Sequence, residues 1–296
     1  MNTKKIKLVY WNKPNFGDIL SPYIINHLTG LEIIHKRGFI SNKNSIKELI
    51  KNIIKFKFKE LSSILFIHEK NILGIGSILN LGNKKSQIWG SGFMYENQNF
   101  HGGTIYALRG PYSNEKLKKM GYKGCNIFGD PALLLPLILN PAEEKKYEIG
   151  IIPHWSEVDF FKEQYGTKYH IIDFRTRNIE ETVNEITSCK LILSTSLHGI
   201  IVSHAYQIPA LWIKKGHIHT DGIKFKDYFG SVGINIYDGF TNIDQILSNQ
   251  TNINNLFLNN KTKALPHLNI RIIQKNLLKS TPFKLCSKYN YLLHNL

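Results

Sequence analysis

The stretch from Leu191 to Ile213 constrains the fold more than any other part of the chain. An apolar strand, Leu191 to Leu193, breaks into Ser194-Thr195-Ser196. His198 and Gly199 then precede a segment of helical periodicity that ends before Pro209, and Ala210 to Ile213 is apolar again. This is a strand-loop-helix-strand unit with a titratable residue at the loop. In open α/β sheets ligands collect beyond the carboxyl ends of strands, where a helix N-terminus offers unpaired N–H groups to anions. His198 therefore stands where chemistry is expected.

The same rhythm runs through most of the chain. Ile6 to Trp11 reads as a strand leading into Asn15-Phe16-Gly17-Asp18, and Ile19 to Leu28 as the helix that follows, up to Thr29-Gly30. Leu31 to His35, Ser62 to His68, Asn71 to Leu79 with its Gly74-x-Gly76-Ser77 loop, Ser86 to Trp89 before Gly90-Ser91-Gly92, and Thr104 to Leu108 read as further strands. Tyr112 to Met120 reads as a helix. The pattern turns polar over Asn140 to Lys146 and restarts with the strand Tyr147 to Ile152, which ends in Pro153-His154-Trp155. Tyr169 to Asp173 and Lys190 to Leu193 follow as strands around the helix Ile179 to Ser188. Strands that run into glycine loops and helices indicate an α/β fold of doubly wound sheets. The expected organisation is an N-terminal Rossmann-like domain over 1–142, a second over 143–265 facing it across a cleft, and a helical tail over 266–296 folded back on the body. Asn249 to Asn260 is expected to be solvated helix ends and loop.

The chain has 296 residues, 42% of them hydrophobic, which is ample for buried cores. Its net charge of +16 is nearly all lysine, and part of it stands with Asn and Ile in Lys43 to Lys59 and Asn249 to Lys263. That pattern fits either a general compositional bias or attraction to an anionic surface or substrate. Cys125, Cys189 and Cys286 show no C-x-x-C spacing and form no even set, so neither a zinc site nor a disulfide framework is indicated and a reducing compartment is expected. The apolar run near the N-terminus is only strand-length, and no segment supplies the ~20 apolar residues of a membrane span. A cytoplasmic protein is expected, with peripheral contact to an anionic membrane through its lysines as an open alternative.

The individual glycine loops are weak signals, since glycines at strand ends also make plain turns. There is no G-x-G-x-x-G fingerprint or G-x-x-x-x-G-K-[ST] loop in the N-terminal unit, which counts against dinucleotide binding and P-loop hydrolysis. Arginine is scarce: Arg37, Arg109, Arg175, Arg177 and Arg271. Arg109, between the strand Ile105 to Leu108 and Gly110-Pro111, presents a guanidinium fork at a sheet's carboxyl edge, suited to a carboxylate or phosphate or equally to an interdomain salt bridge. His198 and His154, at strand ends, can act as acid and base near neutral pH. His204, His217 and His219 read as structural. Asp18 and Asp130 follow glycine, where a carboxylate can activate a sugar hydroxyl but more commonly caps a helix. No H-E-x-x-H pattern or close ligand set indicates a metal.

Taken in order, Asn15-Phe16-Gly17-Asp18, Gly74-x-Gly76-Ser77, Trp89-Gly90-Ser91-Gly92, Leu108-Arg109-Gly110-Pro111, Gly129-Asp130-Pro131-Ala132, Ile152-Pro153-His154 and Ser196-Leu197-His198-Gly199 resemble the polysaccharide pyruvyl transferase family. The resemblance spans Val9 to Trp212, with an echo in Lys224-Phe225-Lys226-Asp227-Tyr228 and in Pro282-Phe283. It implies two Rossmann-like domains in a GT-B-like arrangement, and transfer of pyruvate from phosphoenolpyruvate to two hydroxyls of one sugar as a cyclic ketal. The acceptor would be a cell-surface polysaccharide or its lipid-linked precursor, and no cofactor is needed. Under this resemblance His198 is the general acid and Asp18 orients the acceptor. The donor is held by Arg109, Ser196, Leu197, Gly199, His154, Gly76 and Ser77. One departure is visible: many members carry arginine where this chain has Ser196, so that either a nearby lysine, Arg175 or Arg177 substitutes for it or the chain belongs to a subgroup that uses a hydroxyl there. Acceptor choice is expected to lie in first-domain loops, including Lys43 to Lys59.

Two other readings compete. A GT-B glycosyltransferase using a nucleotide sugar would share the cleft, with Asp221 or Asp227 holding sugar hydroxyls. A non-catalytic nucleic-acid or anionic-surface binder would use the charge alone, but the chain lacks a basic and aromatic stacking motif for nucleic acid.

Overall fold

A computed structural model describes residues 5–38, 68–141, 144–216 and 221–295, with residues 50, 54, 63 and 64 besides. Most of Lys43 to Lys59 and of the expected strand Ser62 to His68, together with His217 and His219, lie outside the described residues.

Two parallel sheets organise the described residues. The first has strands β1 (Ile6–Val9), β2 (Ile33–Lys36), β3 (Asn71–Leu73), β4 (Ser86–Trp89) and β5 (Thr104–Ala107), in the order β2-β1-β3-β4-β5. The second has β6 (Tyr147–Ile152), β7 (His170–Ile171), β8 (Cys189–Ser194) and β9 (Ala210–Trp212), in the order β7-β6-β8-β9. Both orders step outward from the first strand to one side and then return to its other side. Each sheet therefore has a topological switch point beside its first strand, between β1 and β3 and between β6 and β8. Loops that leave adjacent strands in opposite directions open a crevice there.

The helices follow from local signals. Helix α1 (Phe16–Thr29) starts at Asn15, whose side chain accepts from the Gly17 N–H at 3.2 Å, and stops at Gly30 in the left-handed region, with φ 68°. Along it Ile24, Ile25 and Leu28 repeat at helical spacing and are buried. Then come α2 (Pro111–Lys119), α3 (Val158–Tyr165), α4 (Ile179–Thr187), α5 (Leu197–Ala205), α6 (Ile223–Val232), α7 (Ile243–Ile246), α8 (Gln250–Asn259), α9 (Lys261–Ala264), α10 (Ile270–Lys279) and α11 (Ser287–Asn295). Two expectations change. Asn249 to Asn260 is mainly the helix α8: the Asn249 side chain caps Asn252 N–H at 2.9 Å, and Ile253 and Phe257, one turn apart, are buried. Helix α5 begins two residues before Gly199, because the Ser194 hydroxyl binds both Ser196 N–H and Ser196 O and so sets Ser196 at the cap. His198 therefore sits in the first turn of the helix and not in the loop before it.

The largest apolar cluster joins the two sheets, running from Leu8, Leu20 and Trp89 through Ile192, Ile201 and Trp212 to Leu277 and Tyr289. Trp89 Nε1 donates to Leu277 O at 2.9 Å, Gln274 Nε2 donates to Leu133 O at 2.7 Å, and Cys286 N donates to Leu28 O at 2.8 Å. These bonds stitch α10 and α11 to the first half of the chain. Helix α6, although it follows β9, packs against α2. No described helix is long and apolar enough to cross a membrane.

Candidate functional site

The loops at both switch points line one cavity of about 320 Å³. From the first sheet come Trp11, Asn15 and Asp18 after β1, and Gly76 and Ser77 after β3. The second contributes His154 and Trp155 after β6, and Ser196, Leu197 and His198 after β8. Lys224 of α6 completes the wall with Met94 and Phe174. The two halves are tied beside it: Phe16 N donates to Phe174 O at 2.8 Å, and the rings of Phe16 and Phe174 lie 4.5 Å apart. Gly17 is in still closer contact, since a Cβ on it would fall 2.1 Å from His198 Nδ1. No residue larger than glycine fits there with His198 in place.

The N–H groups of Leu197, His198 and Gly199 precede the first intrahelical bond of α5, which runs from Ile200 N to Ser196 O at 3.3 Å. The Ser196 side chain makes no capping bond, so these donors and the positive end of the helix dipole remain available for an anion. Across the cavity the Gly76 carbonyl accepts from Ser91 Oγ at 2.8 Å and from Gly92 N at 3.1 Å, which fixes the loop that presents Ser77.

Arg109 lies beneath this loop and is fully buried. Its Nε donates to Asp227 Oδ2 at 3.1 Å, Nη1 to Ser77 Oγ at 2.5 Å and Nη2 to Phe93 O at 2.7 Å. Asp227 also accepts from Ser113 N at 2.9 Å and Ser113 Oγ at 2.6 Å. Of the two readings open for Arg109 in the sequence, the structure has the salt bridge, made by a buried pair whose remaining polar atoms are satisfied. The guanidinium does not line the cavity; it holds Ser77, which does. A Cβ at Gly110 would meet Asp227 O at 1.8 Å, so this glycine is what lets α6 approach closely enough for the pair to form.

Lys224 is the residue that sequence reasoning missed as part of the site. It lies three positions from Asp227 on α6, is 9% exposed and lines the cavity. Burial, then repulsion from Arg109, brings its ammonium down to about 8, against the pull of Glu157 and Asp18. No hydrogen bond or ion pair holds it among the described residues. By contrast, Arg175 is bound by Asp173 and Asp159, and Arg177 by Asn12. Neither takes the place left by the missing arginine at Ser196.

The titratable pair facing the cavity has pKa values displaced in opposite directions. Burial pushes the Asp18 carboxyl up to about 7, opposed by Lys224. Burial, then Arg109 and Lys224, brings His198 down to about 3, so the imidazole is neutral at ordinary pH. The expected acid is thus a neutral imidazole at neutral pH, whereas Asp18 is protonated in about half of the molecules there. Behind His198, Asp130 caps Ala132 N at 2.9 Å through Oδ1, and its Oδ2 and His198 Nε2 are both buried without a hydrogen bond, 4.0 Å apart. Burial raises Asp130 to about 6. His154 donates its N–H to Thr195 Oγ1 at 2.6 Å, and its Nδ1 meets Ser156 Oγ at 2.9 Å. His204 packs in the core with Nδ1 3.0 Å from the Tyr228 hydroxyl.

Two parallel sheets whose switch points meet at one cavity, with a helix N-terminus and two titratable side chains of displaced pKa on its walls, have the form of a ligand site in an α/β protein. The sequence model of the polysaccharide pyruvyl transferase family matches residues 15–215, and the chain belongs to this family. The chain is also similar to the uncharacterized protein L143 of Acanthamoeba polyphaga mimivirus, with 30% identity over 227 residues, covering 73% of this chain and 78% of that relative. No solved structure matches it. Trp11 and Lys224 fall outside the span that the family model matches.

Proposed function

We propose that the protein transfers pyruvate from phosphoenolpyruvate onto two hydroxyls of one sugar, forming a cyclic ketal and releasing phosphate. Family membership supports pyruvate transfer in polysaccharide biosynthesis. The observation that carries the donor is the unpaired, buried Lys224 facing the free N-terminus of α5 and Ser77 in one cavity. A small molecule with a carboxylate and a phosphate close together satisfies both ends. In this reading the two sheets form the walls of a GT-B-like cleft. The acceptor is a cell-surface glycan or its lipid-linked precursor, met at the cytoplasmic face of a membrane whose anionic lipids attract a chain of net charge +16.

The displaced acid and base support a balanced sequence of steps. Protonated Asp18 gives its proton to the methylene carbon of phosphoenolpyruvate, while neutral His198 takes the proton of the first sugar hydroxyl as its oxygen bonds to C2. The tetrahedral adduct then loses phosphate: the C2–O bond to phosphorus breaks, and the imidazolium gives its proton to the departing oxygen. Asp130, 4.0 Å behind, stabilises the imidazolium in between. The second hydroxyl adds to C2 and returns a proton to Asp18. His198 thus serves first as base and then as acid.

The glycosyltransferase reading gains no such support, because its candidate carboxylates are engaged. Asp227 is held by Arg109 and Ser113, and Asp221 accepts from Glu96 N and Ile223 N. The deciding experiment measures phosphate release from phosphoenolpyruvate with and without a cell-envelope glycan extract, in wild type and His198→Ala. Acceptor-dependent release that the substitution abolishes is expected. Binding of nucleotide sugars without any release would overturn the proposal.

A further inference from the structure

The chain has four tryptophans, and they divide into two pairs. Trp89 and Trp212 are 0% and 1% exposed and belong to the core. Trp11 and Trp155 are each 44% exposed, and both line the cavity that holds Asp18 and His198. Their ring centroids are 5.9 Å apart with planes inclined at 71°, so together they form an open corner. One comes from the loop after β1 and the other from the loop after β6, so the corner is made at the two switch points.

Both loops are held in place. Arg177 Nη2 donates to Asn12 O at 3.1 Å and Asn12 Oδ1 at 2.9 Å, next to Trp11. Beside Trp155, His154 N donates to Thr195 Oγ1 at 2.6 Å, and Glu157 N donates to His154 O at 2.8 Å. Scattered exposed aromatics need no explanation, but a pair converging on a largely apolar cavity that holds a few titratable groups is the composition of a ligand site. An aromatic face is the negative pole of the ring quadrupole and attracts the weakly positive C–H groups of an apolar surface. A pyranose offers such C–H groups on one face and hydroxyls at its rim. Stacked on one indole and bounded by the other, a ring can turn a hydroxyl pair toward the carboxyl and imidazole within.

We infer that Trp11 and Trp155 are the seat of the acceptor, and that the acceptor presents a single terminal pyranose with an open C–H face. This rests on the pyruvyl-transfer reading for its purpose but not for its binding chemistry. The test titrates wild type, Trp155→Ala, Trp155→Phe and Trp11→Ala with methyl α- and β-pyranosides of glucose, galactose, mannose and N-acetylglucosamine. Binding is read from tryptophan fluorescence and calorimetry, phosphoenolpyruvate is titrated separately, and sedimentation gives the mass.

At least one pyranoside is expected to bind wild type, to bind about tenfold more weakly to either alanine variant, and to recover in Trp155→Phe. Phosphoenolpyruvate affinity is expected to stay the same throughout. No pyranoside bound, equal binding by the alanine variants, or a change in mass in place of a change in sugar affinity would overturn the inference. Sugar binding lost in Trp155→Ala with no phosphoenolpyruvate binding to any protein would sustain it and overturn the donor reading instead.

Discussion

Arg109 and Lys224 are both buried cations of the same region, yet their surroundings differ in every respect that matters energetically. Arg109 is enclosed by a carboxylate, a hydroxyl and a carbonyl, each within 3.1 Å. Lys224 has the cavity in front of it and no bonded partner among the described residues. Burying a charge is costly unless it is paired. A paired cation is therefore explained by the fold, whereas one with the Phe225 ring at 5.4 Å and carboxylates nearby that it does not bond costs the fold free energy that an anionic ligand can recover. The comparison separates a scaffold charge from a binding charge within one site.

The largest expected effect tests what both cations surround. His198→Ala should lower transfer by about 10²–10⁴-fold with the fold retained, measured as phosphate release beside circular dichroism. Asp18→Asn should act on a similar scale. With Asp18 near 7 and its protonated form required, wild-type activity should fall as pH rises through about 7, and a profile rising there would refute the assignment.

Arg109→Ala strands a buried Asp227 and should cost about 3–5 kcal/mol in chemical denaturation. Lys224→Met should do the reverse: no loss of stability at neutral pH, and a weakening of phosphoenolpyruvate binding by about ten- to a hundredfold in calorimetry. The sign follows from the depressed pKa. Between about 8 and the ordinary lysine value the unfolded chain binds more protons than the folded one, so wild-type stability rises with pH across that window, and Lys224→Met should flatten the rise. If Lys224→Met proved as destabilising as Arg109→Ala, the contrast would collapse. The smallest effect is expected of Arg175→Ala, whose bonds to Asp173 and Asp159 lie at the surface: within about 1 kcal/mol of wild type, with activity unchanged.

The strands were largely legible in the sequence, because buried parallel strands are short apolar runs that end in glycine loops. Ser86 to Trp89 and Tyr147 to Ile152 coincide with β4 and β6. Polar helices were harder to recognise. Asn249 to Asn260 looks like loop by composition, and only the capping Asn249 with the Ile253 and Phe257 pair indicates α8. The residues after β1, β3, β6 and β8 were legible as site residues, since each follows a strand directly. The Arg109 partner was not: Asp227 is 118 residues away, and local periodicity carries no information across such a distance. Lys224 was hidden for a related reason, since nothing local distinguishes it from Lys226 two residues on. Only the buried pattern of Phe225, Tyr228 and Phe229 on the same helix hints that this face turns inward.

Gly17 has a consequence for how the chain can change over generations. The imidazole from the second half occupies space that any side chain at position 17 of the first half would fill, with only 2.1 Å between the would-be Cβ and His198 Nδ1. The two positions are 181 residues apart in sequence, yet they share one volume. Drift at either is conditional on the other: a methyl group at 17 becomes tolerable only once the ring at 198 has gone, and with it the chemistry. Two halves that could otherwise vary separately are thus bound to a common history by an absent side chain.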